Sequence, residues 1–317
     1  MFGICKRCKK NNAHVSWCKS CDAVNSIRTG NNLIDDFLQR ALHSANRHEK
    51  VVEWIPYDRL KDIKMVGRGG FGKVFSATWI DGKRISIDEN GEKRENELKV
   101  ALKMLEESEN ISGSLLKKIM KEVEFQHKYS SINLYGLSQD PVTNNYIMVL
   151  KFADSGNLHE YIINNFETFN WKKKLFFLER ISNELILIHK EGNVHRDFHH
   201  GNILIHDDNY PCISDLGLAG PANAAPEGNE IYGVLPYVAP EVLYGKQYTA
   251  AADIYSFGVI MTEISSGKPP HGGVPHDASL AIEISNGLRP KFGRGTPKVY
   301  IDLANQCMDA DSSKRPT

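Results

Sequence analysis

The residue types best suited to chemistry are Asp197, Asn202 and Asp215. Asn202 follows Asp197 by five positions, and Asp215 follows Asn202 by thirteen. The stretch reads His195-Arg196-Asp197-Phe198-His199-His200-Gly201-Asn202, with Asp215-Leu216-Gly217 downstream. Two carboxylates and one carboxamide are hard oxygen donors. Such a set suits phosphoryl transfer: one carboxylate orients a nucleophilic hydroxyl, while the amide and the other carboxylate hold Mg²⁺ against the phosphates of ATP.

Further elements must position them. Gly67-Arg68-Gly69-Gly70-Phe71-Gly72-Lys73-Val74 reads G-x-G-x-x-G-x-V. Alone, that run also marks a dinucleotide-binding turn, which needs a helix to follow at once. Lys73-Val74-Phe75-Ser76-Ala77-Thr78-Trp79 follows instead, and its alternation predicts a strand. Strand, glycines and strand make a flap over phosphates, because a Cβ would keep the backbone N–H groups from the oxygens. Val100-Ala101-Leu102-Lys103 predicts a further strand carrying a cation.

In this order the motifs resemble the HRD…N, DFG, glycine-loop and V-A-x-K signatures of eukaryotic protein kinases. Ala239-Pro240-Glu241, Asp253-Ile254-Tyr255-Ser256-Phe257-Gly258 and Lys314-Arg315-Pro316-Thr317 resemble later landmarks of that family. The resemblance covers roughly residues 57–317. It implies an α+β bilobal kinase fold, with a small antiparallel N-lobe sheet, one helix there, and a larger helical C-lobe. It also implies roles. Asp197 is the base or orienter, Asn202 and Asp215 are Mg²⁺ ligands, and Lys103 is the phosphate clamp. Glu122 anchors Lys103, with Glu124 as the other candidate. Gly67, Gly69 and Gly72 cover the phosphates. Val74, Ala101 and Leu150 line the adenine pocket, and Lys151-Phe152-Ala153 is the hinge. Asp253 braces the catalytic loop, and Arg315 pairs with Glu241.

Several positions depart from the family pattern. His199 stands where Ser/Thr kinases usually carry Lys, and an imidazole supplies less charge to the transferring phosphate. Small-molecule kinases of the aminoglycoside and choline type often have His there, but Arg196 and the A-P-E and R-P landmarks belong to protein kinases. Val234 replaces the hydroxyl residue of the P+1 position, which leaves Ser/Thr against Tyr acceptors open. Leu216 replaces Phe, a tolerable apolar exchange. Between Asp215 and Glu241 there is no Ser or Thr. The loop is therefore expected either to be held by Glu227 or Glu230 against Arg196, or to be switched at Tyr232. Gln126 is polar at a usually apolar spine position. The chain stops at Thr317, before the fold's final helix, which predicts a truncated chain of reduced stability.

Cys5-x2-Cys8-x9-Cys18-x2-Cys21 forms two CxxC knuckles. Four thiolates at this spacing can close a tetrahedral structural Zn²⁺ site. The other reading is four free or paired thiols. His14 can replace a ligand. Lys6, Arg7, Lys9, Lys10 and Lys19 make the segment basic, partly offsetting the negative charge of a four-thiolate zinc site, and it can serve as a docking segment for a protein partner. Cys212 and Cys307 read as packing residues.

Basic and acidic residues balance at 39 each among 317. No global field argues for nucleic acid or membrane. There is no run of 18 apolar residues, no apolar signal core, and Phe rather than Gly follows Met1. A cytoplasmic protein acting on protein substrates is expected. The organisation reads as a Cys-rich knuckle at 1–30, a helical linker at 31–56, N-lobe and hinge at 57–153, and a C-terminally truncated C-lobe at 154–317. In the linker, Leu33, Ile34, Phe37, Leu38 and Leu42 recur at helix spacing, with Asn32 as cap and the apolar stripe docked on the kinase domain. Residues 81–96 read as a long mobile hairpin loop between two strands. Tyr146 to Phe152 reads as a buried strand, and Leu175 to His189 as a helix before the catalytic loop.

D-I-Y-S-F-G-V and C-x-x-x-D-x-x-K-R-P-T are similar to the tyrosine-kinase-like group. With the Cys leader, W-I-P-Y and Y-G-x-L-P-Y-x-A-P-E, the chain resembles kinases expanded in arbuscular mycorrhizal fungi. The functions in view are an active ATP–Mg²⁺ protein kinase, a nucleotide-binding pseudokinase or scaffold, and an adaptor working through the zinc segment.

Overall fold

The computed structural model describes residues 2–14, 17–22, 27–69, 72–88, 91–105, 120–121, 123–125, 127–206, 209–223 and 233–317, apart from the side chains of residues 49, 68 and 86–88. The chain divides into two units. One comprises Met1–Lys128 and Ile132–Phe152, the other Tyr129–Ser131 and Ala153–Thr317.

The first unit is built on β1 (Glu53–Trp54), β2 (Leu60–Gly69), β3 (Gly72–Trp79), β4 (Lys83–Asp88), β5 (Gly91–Glu95), β6 (Leu98–Met104), β7 (Leu134–Gln139) and β8 (Tyr146–Lys151). Six of them form one sheet in the order β1-β7-β8-β6-β3-β2. Its pairs are antiparallel except β1 with β7. Helix α1 (Asn32–Ser44) buries Ile34, Phe37, Leu38, Ala41 and Leu42. These pack with Trp17, Leu105, Met120, Val123, Leu137 and Met148 in one apolar cluster. Each fully buried side chain of this size contributes roughly 1.5–3 kcal/mol, so the helix docks on the sheet as its spacing predicts.

Three local expectations need correction. The cap of α1 is Asn31, whose Oδ1 accepts from Leu33 N at 3.1 Å, and not Asn32. Part of the segment read as a helical linker is strand: β1 joins the sheet edge, where Val52 and Ile55 are buried and Trp54 meets Tyr146 edge-on. Within the hairpin loop expected at 81–96, β4 and β5 are paired strands and not loose chain, with Lys83 opposite Glu95 and Arg84 opposite Arg94. Arg84 explains the order. It is buried and pairs with Asp22 (2.6 Å), Glu53 (3.1 Å) and Glu92 (3.0 Å). A buried guanidinium demands such partners, and two of them, Asp22 and Glu53, come from distant segments, while Glu92 comes from the paired strand β5.

The second unit is mainly helical: α2 (Leu158–Asn165), α3 (Trp171–Lys190), α4 (Pro240–Leu243), α5 (Ala250–Ser266), α6 (Ala278–Ser285) and α7 (Lys298–Cys307). Helix α5 is buried around most of its circumference, so its sequence is apolar without a clear stripe. Two small ribbons complete the unit. Strand β9 (Asn193–Val194) pairs with β12 (Gly220–Pro221), and β10 (Ile203–Ile205) with β11 (Pro211–Ile213). The catalytic loop runs from the end of β9 to the start of β10. Among the described residues, no helix is long and apolar enough to cross a membrane.

Candidate active site

In the second unit the catalytic loop is held from behind. Asp253, near the N-terminus of α5, accepts from the backbone N–H of His195 (2.8 Å) and Arg196 (3.1 Å). His189 at the end of α3 bonds the same carboxylate at 2.8 Å. Arg196 sits at φ 70, a left-handed conformation costly for a side-chain-bearing residue. The bonds to Asp253 hold that turn, and the turn aims Asp197.

Asn202 Nδ2 donates to both the backbone O (2.8 Å) and Oδ2 (3.0 Å) of Asp197. Both amide hydrogens are thereby used, so Oδ1 is the atom left to meet a cation. The carboxamide side chain of Asn202 therefore fits a Mg²⁺ ligand. Asp215 follows Ser214, whose N–H and hydroxyl both donate to Asn202 O, at 2.8 and 3.1 Å. Asp215 itself has φ 59. The two residues expected to be metal ligands are thus tied through one backbone carbonyl.

Burial pushes the Asp197 carboxyl up, but His199, His195 and Asn202 outweigh it and hold the group below its ordinary value. A carboxylate of depressed pKa is a weak base, so its stronger contribution is to orient an acceptor hydroxyl. His199 Nε2 stands 3.5 Å from Asp197 Oδ1. Gly233, at φ 111, passes close by: a Cβ there would lie 3.7 Å from that same oxygen. Val234, next to it, brings no hydroxyl to the site. Leu216 is buried, as an apolar stand-in for Phe requires.

In the first unit, β2 and β3 close at Gly69 opposite Gly72, and Gly67 lies opposite Val74. Gly72 adopts φ 120, which side-chain-bearing residues rarely reach. Val74 is paired with Lys103 across β3 and β6, and Ala101 with Leu150 across β6 and β8. Opposed residues share a face, as do residues two apart, so Val74, Ala101, Lys103 and Leu150 line one surface. Lys103 is 8% exposed, which forces its ammonium to be paired. Phe152 lies under Lys99, with Nζ 3.9 Å from the ring centroid. The break between the units falls between Phe152 and Ala153. Glu122, Gln126, Glu227, Glu230 and Tyr232 lie outside the described residues. The alternative anchor Glu124 is an exposed partner of Arg40 at 2.5 Å.

The four cysteines converge. Their sulfurs all lie within 4.8 Å of one another, with Cys5 to Cys21 at 3.9 Å and Cys8 to Cys18 at 3.4 Å. A tetrahedron with Zn–S near 2.3 Å has edges of about 3.8 Å, so the set fits that ion. The backbone N–H of Cys8 is the largest influence lowering the Cys5 thiol, which falls to about 6. His14 is not in the cluster, and its ring meets Phe2 at a tilt, with centroids 5.0 Å apart.

Sequence reasoning missed one network. Glu263 on α5, fully buried, takes His159 (2.8 Å), His200 (2.9 Å) and the Tyr237 hydroxyl (2.7 Å). It links α2, the catalytic loop and the residues before α4. Glu263 lies ten positions after Asp253 in a run of apolar helix, and an acid there needs a partner that only folding brings. Arg315 and Glu241 make the expected two-pronged pair, at 2.7 Å each. Tyr237 is buried and structural, its hydroxyl held by Glu263.

Comparison with known proteins agrees with this geometry. The family model for protein tyrosine and serine/threonine kinases matches residues 60–317. A probable serine/threonine-protein kinase of Dictyostelium discoideum is 25% identical over 277 residues, covering 86% of this chain and 28% of that protein. Cysteine-rich receptor-like protein kinase 6 of Oryza sativa subsp. japonica is 27% identical, covering 77% of this chain and 34% of its own length. Cytokinesis protein sepH of Emericella nidulans is 27% identical, covering 81% and 18%. The chain thus spans about a third or less of these relatives. With its catalytic loop, glycine flap and buried Lys103 in the family's order, the chain belongs to the protein tyrosine and serine/threonine kinase family.

Proposed function

We propose that the chain is an ATP- and Mg²⁺-dependent protein kinase that phosphorylates hydroxyls of protein substrates, Ser/Thr by the names of its relatives, with Tyr open. The observation that carries this reading is the Asp197–Asn202 pair, in which the amide spends both hydrogens on the carboxylate and its backbone and keeps its oxygen for a cation. Mg²⁺, when bound, supplies charge neutralisation for the phosphates. Asn202 and Asp215 hold it, Lys103 clamps the phosphates and Glu122 anchors Lys103. Asp197 points the acceptor hydroxyl, and Asp253 keeps Asp197 in place. Val74, Ala101 and Leu150 contact the base, and Phe152 and Ala153 present the hinge backbone.

Cys5, Cys8, Cys18 and Cys21 hold a structural Zn²⁺, a reading supported by the convergence of their sulfurs. This small basic module docks a protein partner. The motif style supports membership of the tyrosine-kinase-like group, among kinases like those of arbuscular mycorrhizal fungi, and the site of action is cytoplasmic. The division into knuckle, linker, N-lobe and C-lobe at 1–30, 31–56, 57–153 and 154–317 goes with the same reading. The test is transfer of labelled phosphate from Mg-ATP to a peptide array, with the acceptor residue identified by mass spectrometry. Equal signal from wild type and Asp197→Asn would end the reading.

A further inference from the structure

We infer that Gly201 is a positioning residue: it fixes His199 in one neutral tautomer, with the proton on Nε2 facing Asp197. The kinetic consequence rests on the kinase reading above, whereas the tautomer does not.

Gly201 N donates to His199 Nδ1 at 3.0 Å. A ring nitrogen that accepts a hydrogen bond offers its lone pair, so the proton of a neutral imidazole must sit on the other nitrogen. That nitrogen, Nε2, faces Asp197 Oδ1 at 3.5 Å. The distance is longer than a formed bond, as contacts of catalytic groups often are before substrate arrives. Asn202 already occupies Oδ2 of Asp197 at 3.0 Å, so Oδ1 is the oxygen left for the imidazole.

Gly201 also makes the room. A Cβ at this position would lie 2.8 Å from His199 Cε1 and 3.0 Å from Nδ1. No positive φ is required of Gly201, so the ring, not the backbone, demands glycine here. An added methyl would rotate the imidazole away from Asp197 and break the N–H contact that sets its tautomer. His195 is built the same way: Asp197 N donates to its Nδ1 at 3.3 Å, and its Nε2 meets Ser214 O at 3.0 Å. Two imidazoles thus flank Asp197, each oriented by a backbone amide.

The result is a catalytic loop in which an uncharged N–H stands where Ser/Thr kinases present an ammonium. The donor is available without protonation of the ring. It steers one oxygen of Asp197, and Gly201 determines whether it points there.

The test uses the full, zinc-replete chain with ¹⁵N-labelled histidine and long-range ¹H–¹⁵N correlation at about pH 7.5, where an ordinary imidazole is mostly neutral. The His199 resonances, assigned by their loss in His199→Gln, are expected to show a bare Nδ1 and a protonated Nε2. In Gly201→Ala they are expected to shift to a mixture of tautomers. In phosphotransfer, Gly201→Ala should lower kcat about tenfold with KM for ATP unchanged, and should change kcat less than about twofold in a His199→Ala background. A doubly protonated or Nδ1-protonated His199 in the wild-type spectrum overturns the inference. So does an equal loss from Gly201→Ala in both backgrounds. A wild-type chain that transfers no phosphate to any acceptor removes the kinase reading instead, and its spectrum still decides the tautomer.

Discussion

Asp253→Ala is the sharpest perturbation of the catalytic loop. The Asp253 side chain is 2% exposed and takes the N–H groups of His195 and Arg196. His195 is itself 0% exposed, so water cannot readily replace the lost acceptor. Stranding a buried donor costs about 1–3 kcal/mol, and two of them about 2–6. Alanine relieves the cost of keeping a carboxylate out of water, which moves the net toward the lower half, at about 3 kcal/mol. For a domain of this size that corresponds to a fall in Tm of about 6–12 °C. The loop should suffer further, because Arg196 is held at φ 70 by these bonds and would relax, turning Asp197 away. Thermal melting should therefore show the drop. Phosphotransfer at a temperature where the variant remains folded should show kcat down by two orders of magnitude or more, taking misplacement of a catalytic group as costing about 10²-fold. Asp253→Asn, which keeps one carbonyl acceptor, should fall between. His189→Ala removes one hydrogen bond to the Asp253 carboxylate from a partly exposed ring and leaves both backbone bonds in place, so it should cost less than Asp253→Ala. If Asp253→Ala melts within about 2 °C of wild type, well inside the expected fall, and keeps its rate, the brace is not what aims Asp197.

Other outcomes follow from the same structure. Chelating the four-cysteine site should release Trp17, which is 1% exposed and bonded to Asp22, so its fluorescence should shift to the red and recover on adding Zn²⁺; an unchanged spectrum would count against a structural ion. Arg84→Met strips buried Asp22 of its cation while Glu53 keeps Arg94, and should destabilise the first unit by about 3–5 kcal/mol in urea titration and loosen zinc in chelator competition, since Asp22 follows Cys21. Burial raises the Glu184 carboxyl to about 7, against smaller lowering by Ser131 and Ile213. Its folded value lies above the unfolded one, so the folded state holds the proton more tightly, and stability present near pH 4 is lost as pH rises toward about 7. The loss should be about 3 kcal/mol at one pKa unit per about 1.4 kcal/mol, and Glu184→Gln should flatten that stretch of the stability–pH curve.

The family landmarks were legible in the chain because each is a short run whose chemistry lies in residue type and spacing. Asp197, Asn202, Asp215, the glycine flap and the Cys pairs required no knowledge of distant partners, and helix α1 announced itself by apolar spacing. A hairpin loop was expected at 81–96, but the pairing of β4 with β5 was not legible. Its sequence is polar and turn-rich, and its order comes from Arg84 meeting Asp22 and Glu53, residues 62 and 31 positions away. Strand β1 was hidden similarly, because two residues carry no period and only the edge of β7 gives them partners.

Local pattern thus settled which atoms are available for chemistry, since donors and glycines are properties of single residues and short spacings. Folding alone decided how they face each other. Nothing in His199 or Gly201 as letters says which ring nitrogen meets Asp197, and nothing in Glu263 says that two histidines and a tyrosine will hydrogen-bond it. Buried polar groups take whatever partners the packed chain delivers, because in low dielectric an unpaired one is too costly to keep.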